Sequence, residues 1–251
     1  MKKIFITGAS SGLGAALARE FANETIILGL LARRVEVLQQ VSEKFTGKVY
    51  CYGVDVGDPV KVRNAAESFM ESVGVPDIVI ANAGISAGTD TSLVEDQGVF
   101  ERIMRTNVLG MVHTFQPFLS AMSQRGSGSL VGISSIAGFR GIPGSGAYSA
   151  SKAAATSYLE SLRVELSLSG INVLTVCPGY IRTPMTDVNH FYMPFLINAE
   201  SAAASIIKAI NRKKRFHVVP WQMAVIGFLL RLLPRALYDF SFRRAPRKPR
   251  V

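Results

Sequence analysis

Seven short apolar runs, at residues 4–7, 25–31, 49–54, 77–81, 129–134, 172–177 and 216–219, recur along the chain with helix-length segments between them. Runs of this kind suit strands covered on both faces, which is the situation of a parallel sheet whose crossover connections are helices. The alternation therefore predicts an α/β fold, a doubly wound parallel sheet of about seven strands with helices on both faces and ligands at the carboxyl ends of the strands. A chain of 251 residues can bury one substantial core, and no linker interrupts it before residue 212. Residues 1–220 are expected to form a single domain and residues 221–251 a C-terminal extension.

The first apolar run leads directly into Gly8-Ala9-Ser10-Ser11-Gly12-Leu13-Gly14. Glycines at 8, 12 and 14 permit a tight strand-to-helix turn and let backbone amides approach a pyrophosphate. A helix beginning near Gly12 would direct its positive dipole end to the same place. Such a turn makes the predicted sheet Rossmann-like, a dinucleotide-binding arrangement. An ordinary glycine-punctuated turn is the alternative, and its position after a first strand weakens that alternative.

Tyr148 and Lys152 lie four residues apart in Tyr-Ser-Ala-Ser-Lys. On a helix they would share a face, with the ammonium beside the phenol. A free phenol titrates near ~10, and proton exchange near neutrality calls for a depression of roughly three units, or about 4 kcal/mol. One positive charge about 4 Å away at an effective dielectric of about 20 supplies that amount. The expectation is that Lys152 depresses the Tyr148 pKa.

Thr7 to Gly14, in the form Thr-Gly-x-x-x-Gly-x-Gly, and Tyr148-x-x-x-Lys152 together resemble the short-chain dehydrogenase/reductase family. The resemblance extends over most of the chain through Asp55, Asn82-Ala83-Gly84, Asn107, Ser135 and Pro178-Gly179 in order. It implies a catalytic set of Asn107, Ser135, Tyr148 and Lys152. In that set Ser135 hydrogen-bonds a substrate carbonyl, Tyr148 protonates it as hydride arrives, Lys152 holds the nicotinamide ribose, and Asn107 positions a water that links Lys152 to solvent. Ser135 is preferred to Ser134 on the family's thirteen-residue interval to the tyrosine, which leaves Ser134 to end the strand. The cofactor contacts implied are Gly8, Ser10, Ser11, Gly12, Leu13, Gly14, Arg33, Asp55, Asn82, Ala83, Gly84, Tyr148, Lys152, Pro178, Gly179, Ile181 and Thr183. Among them Asp55 would meet the adenine, and Thr183 the nicotinamide end. A purely structural turn role for Asp55 stays open.

The second run ends in Leu30-Leu31-Ala32-Arg33-Arg34, where an acidic residue would serve the free ribose hydroxyls of NAD. Arg33 instead offers a guanidinium to a 2′-phosphate, and two arginines opening a helix oppose its dipole unless a phosphate offsets them. NADP is therefore expected over NAD, with a pair of solvated arginines as the alternative.

The net charge of +10 is unevenly placed: residues 1–211 hold 17 Lys/Arg and 17 Asp/Glu, and residues 212–251 hold 11 and 1. The basicity belongs to the extension and not to the body, which argues against a nucleic-acid enzyme. Cys51 and Cys177 both fall in apolar runs, read as buried free thiols, and no metal-ligand spacing is present. The amino-terminal apolar stretch is too short for a signal peptide, so a cytoplasmic location is the default. Residues 221–233 are too short to span a bilayer. Flanked by arginines, they suit either the surface of an anionic membrane or packing against the core or another subunit.

The function expected is an NADPH-dependent interconversion of a carbonyl and a secondary alcohol by a homodimer or homotetramer. The apolar residues Phe191, Tyr192, Met193, Pro194, Phe195 and Leu196 favour a hydrophobic substrate, as a mobile lid or as a short packed helix. The alternatives are a catalytically silent nucleotide-binding scaffold or membrane-recruited sensor, and an epimerase or dehydratase on a related fold. The first has no chemical need for all four catalytic residues. The second usually carries a larger carboxyl-terminal domain than about seventy residues allow.

Overall fold

A computed structural model describes residues 1–43 and 45–250. Seven strands, β1 (Lys2–Thr7), β2 (Ile26–Ala32), β3 (Lys48–Gly53), β4 (Ile78–Ala81), β5 (Gly128–Ile133), β6 (Ile171–Pro178) and β7 (Phe216–Val219), form one parallel sheet in the order β3-β2-β1-β4-β5-β6-β7. Each expected run is a strand, with ends shifted by up to two residues. Chain direction across the sheet reverses between β1 and β4, so a crevice opens above their carboxyl ends.

Side-chain alternation distributes the strands' apolar residues to two faces. Ile4, Ile6, Leu28 and Leu30 bury one face against α1 (Gly12–Phe21) and α8 (Ala199–Asn211). Phe5, Leu31, Val79 and Leu130 bury the other against α3 (Pro59–Val73), α5 (Gly110–Arg125) and α6 (Gly146–Glu165). Phe5 is fully enclosed, with ring centroids 5.4 Å from Phe69 and 5.1 Å from Phe118. The small residue beneath it is required: a Cβ on Gly29 would lie 2.5 Å from Phe5 Cδ2.

Local signals start and stop these helices. Asp58 accepts hydrogen bonds from Val60 N and Lys61 N with Pro59 in the first turn of α3, and Gly74 ends that helix at φ 83°. Asn198 caps α8 through Ser201 N at 2.7 Å. The remaining elements are α2 (Val35–Ser42), α4 (Gln97–Met104), the four-residue α7 (Pro184–Asp187), α9 (Gln222–Leu232) and α10 (Arg235–Phe242).

The extension lies on the body beside the segment that follows β5. Arg140 Nη1 donates to Leu230 O at 3.1 Å and Leu233 O at 3.0 Å, placing a cation at the carboxyl end of α9, and Tyr238 donates to Gly141 O. Met223 and Gly227 face inward, whereas Trp221, Val225, Phe228, Leu229 and Leu232 remain exposed, as do Leu237 and Phe240 on α10. Of the two readings left open by the sequence, packing on the core accounts for only one side of α9. Among the described residues no helix is long and apolar enough to cross a membrane.

Candidate active site

β1 delivers Thr7 to the crevice, and the chain turns there at Gly8 with φ 69° and Gly12 with φ 54°, a region open to glycine. The turn is packed against its neighbours without slack. A Cβ on Gly8 would lie 2.7 Å from Ala83 Cα, and one on Gly14 would lie 2.2 Å from Gly8 O. Asn82 braces this arrangement, donating from Nδ2 to Thr7 O at 3.0 Å and Gly8 O at 3.1 Å. Its side chain thus serves the turn, as do the N–H groups of Asn82 and Ala83, which donate to Thr7 Oγ1 at 3.2 and 3.4 Å.

All the residues expected to hold the cofactor line that one cleft: the 8–14 turn except Ala9, Arg33, Asp55, Asn82, Ala83, Gly84, Tyr148, Lys152, Pro178, Gly179, Ile181 and Thr183. Arg33 is exposed at its rim. Asp55 also accepts from Gly57 N at 2.8 Å, so the turn role and the cleft position coexist. Thr183 closes the far side, its Cβ 3.2 Å from where a Cβ on Gly12 would sit. A glycine-walled slot that side chains would fill, with a helix N-terminus at one end, fits a dinucleotide. Val54, Val56, Thr106 and Thr186 also line the cleft. Val54 and Val56 follow the end of β3, whereas Thr106 and Thr186 lie in helical turns beside Asn107 and Thr183 and are marked only by those neighbours.

At the catalytic end, Ser135 follows β5 and accepts from Ala137 N at 3.1 Å while donating to Pro178 O at 3.4 Å. Ser134 instead points to α6, donating to Lys152 O at 2.9 Å with Thr156 Oγ1 at 2.7 Å. Of the two serines, Ser135 lines the cleft with a hydroxyl near Tyr148, whereas the Ser134 hydroxyl is spent on α6. Ser134 itself lies one residue past the end of β5, although its N–H still pairs with Val176 O at 2.7 Å.

Tyr148 and Lys152 share a face of α6, with Lys152 Nζ 5.7 Å from the Tyr148 ring centre. The expected depression of the phenol is not what this geometry produces. Burial raises the Tyr148 pKa, opposed by the Ser135 hydroxyl, because the low-dielectric surroundings penalise the phenolate. The ammonium is directed to Ile133 O at 2.8 Å, and burial lowers its own pKa to about 8.

Asn107 sits in a wide helical turn, Arg105–Leu109, between α4 and α5. Its Oδ1 accepts from Ile85 N at 2.8 Å, and its Nδ2 donates to Ile85 O at 3.0 Å and Ser151 Oγ at 2.9 Å. It lies behind the cleft wall and pins the loop after β4 to α6. A Cβ on Gly84 would be 3.2 Å from Asn107 Oδ1 and 3.5 Å from Lys152 Nζ, so that glycine keeps the two groups adjacent.

The family model for short chain dehydrogenase matches residues 2–190. The chain belongs to the short-chain dehydrogenase/reductase family. An uncharacterized oxidoreductase of Myxococcus xanthus is 37% identical over 247 residues, covering 95% of each chain. The ketoacyl reductase HetN of Nostoc is 34% identical over 222 residues, covering 84% of this chain and 76% of the relative. A solved structure described as ElxO with NADP bound superposes with a TM-score of 0.75 at 25% identity, covering 86% of this chain and 95% of the other. The protein is an NAD(P)-dependent short-chain dehydrogenase/reductase, an oxidoreductase of small-molecule carbonyls and alcohols.

Proposed function

We propose that this enzyme uses NADPH to reduce a carbonyl on a hydrophobic substrate to a secondary alcohol, with Tyr148 as the proton donor. The observation that carries the reading is the convergence of Ser135, Tyr148 and Lys152 on the cleft walled by the 8–14 turn. The bound dinucleotide supplies the hydride. Arg33 at the rim, with Ala32 in place of an acid, favours a 2′-phosphate on that dinucleotide. The turn residues and Thr183 would hold the rest of it.

Ser135 would hydrogen-bond the substrate oxygen and orient it toward Tyr148. Burial keeps the phenol protonated at neutral pH, the state that reduction requires. Once the proton has left, the nearby Lys152 ammonium would stabilise the phenolate. Asn107 fixes the backbone around Ile85 and Gly84 and would position a water between Lys152 and solvent for proton resupply. Intact Asn107, Ser135, Tyr148 and Lys152 disfavour a catalytically silent scaffold.

The same reading places the enzyme at an anionic membrane surface. Supporting it, Trp221, Val225, Phe228, Leu229 and Leu232 recur at three- and four-residue intervals on the exposed side of α9, with residues 212–215 and Arg235 nearby in sequence. Arg247 and Arg250 are withdrawn from that basic flank by ion pairs within the chain. An apolar face beside the loop carrying Ser135 suits a substrate drawn from lipid.

The experiment is to follow NADPH and NADH oxidation against long-chain, aromatic and sterol-like ketones. Turnover favouring NADPH and an apolar ketone is expected. Tyr148→Phe should lower kcat by roughly 10²–10⁴-fold while nucleotide binding persists. Equal turnover by the Phe variant would refute the assignment.

A further inference from the structure

The basic segment 247–250 packs against two loops of the body and reaches Met185, a residue that lines the cleft. Gly88 N donates to Pro249 O at 2.9 Å, and Gly88 pairs with Arg250 as a short parallel bridge. A Cβ on Gly88 would lie 2.2 Å from Lys248 O, and one on Gly144 would lie 2.8 Å from Arg247 Cβ. Two glycines on two separate loops thus leave the space through which residues 247–250 pass.

Ion pairs secure both sides of this strap. Arg250 donates to both carboxylate oxygens of Asp96, at 2.9 and 3.1 Å, and the Asp96 side chain is only 7% exposed. The guanidinium, followed by the N–H of Asp90, holds the Asp96 carboxyl below the ordinary carboxylate range. Arg247 reaches Asp90 at 3.4 Å.

Lys248, between them, has no carboxylate within 4 Å among the described residues. Its Nζ donates instead to two neutral acceptors, Ser86 Oγ at 3.1 Å and Met185 O at 3.0 Å. Those acceptors belong to the loop after β4 and to α7 in the segment after β6, and the two segments flank the loop carrying Ser135. Met185 lines the cleft itself, and Ile85, the neighbour of Ser86, does so too. Burial lowers the Lys248 pKa. An ammonium has three donors, so one is left over once Ser86 and Met185 are satisfied, and a half-buried cation with no counter-charge among the described residues is favourably placed to accept an anionic ligand.

We propose that Lys248 is a specificity-determining residue that receives an anionic group of the substrate, a carboxylate or a phosphate, at the mouth of the cleft. The proposal rests on the carbonyl-reductase reading above and narrows it to amphipathic substrates with an acidic end. The arginines and glycines then act as the mounting that holds this lysine beside the segments after β4 and β6.

The test compares two substrate pairs: a long-chain oxo acid with its methyl ester, and an S-oxoacyl pantetheine with and without its 4′-phosphate. Wild-type enzyme should prefer the charged member of one pair, and which pair responds separates a carboxylate from a phosphate. Lys248→Met should raise KM for that charged member about tenfold or more, leaving kcat and the uncharged partner within about twofold, and Lys248→Arg should restore part of the preference. Equal losses on charged and uncharged substrates, or a wild type indifferent within both pairs, would overturn the proposal. If none of the four is reduced, the carbonyl-reductase reading fails. Calorimetric binding of the same four compounds to wild type and Lys248→Met then decides the lysine's role: charge-selective binding lost in the variant upholds it, and unchanged binding ends it.

Discussion

Lys152→Met should yield a protein that is more stable and inactive. Lys152 is 4% exposed, and burial takes its pKa from the ordinary 10.5 to about 8, a gap of roughly 2.5 pH units. At about 1.36 kcal/mol per unit, keeping this ammonium charged at neutral pH costs the native state about 3 kcal/mol. Methionine removes that cost but loses the 2.8 Å bond to Ile133 O, worth about 1–2 kcal/mol. The net gain is about 1–2 kcal/mol, or roughly 2–8 °C in Tm for a chain of this size.

The sign follows from proton counting. Below about pH 8 the folded and unfolded states both hold the proton, and the cost is present in full. Between about 8 and 10.5 the folded state releases it first, so wild-type stability contributed by this group rises with pH; above 10.5 both are neutral. The advantage of the methionine variant should therefore be present at pH 7 and diminished at pH 9.5. Urea unfolding followed by circular dichroism, without added nucleotide, measures both. A variant no more stable than wild type at pH 7, or an advantage unchanged at pH 9.5, would refute the reasoning. Wild-type reduction should correspondingly slow above about pH 8, as Lys152 loses the charge that stabilises the phenolate.

Gly14→Ala places a Cβ 2.2 Å from Gly8 O and 2.5 Å from Asn82 Nδ2, so the turn must shift and NADPH affinity should fall at least about tenfold by fluorescence titration. Gly141→Ala, with no atom within 4 Å of the added Cβ, should bind normally; equal effects at the two sites would contradict the packing account. For the membrane surface, Phe228→Ser combined with Leu232→Ser should abolish sedimentation with anionic vesicles and leave turnover of a dispersed substrate unchanged, since both residues are exposed. Vesicle binding that survives the pair would remove that assignment.

Much of the fold could be read directly. The seven strands are legible because a strand buried on both faces is apolar along its length, and the glycine turn because its backbone admits no side chain. Tyr148 and Lys152 are legible because four residues is one helical turn. These are local constraints, each expressed within a few neighbours of the residue concerned.

Assembly decided what depends on distant partners or on the dielectric around a group. The direction of the Tyr148 pKa follows from burial, which spacing does not reveal. The outward apolar side of α9 was ambiguous because an amphipathic stripe looks the same whether it faces the core or solvent. The path of residues 247–250 joins Arg250 to Asp96 across 154 positions and passes where Gly88 and Gly144 leave room. Periodicity along the chain determined which residues would be buried in the sheet. Only the folded surface decided which buried or half-buried charges find a counter-charge, because that depends on loops brought together in space.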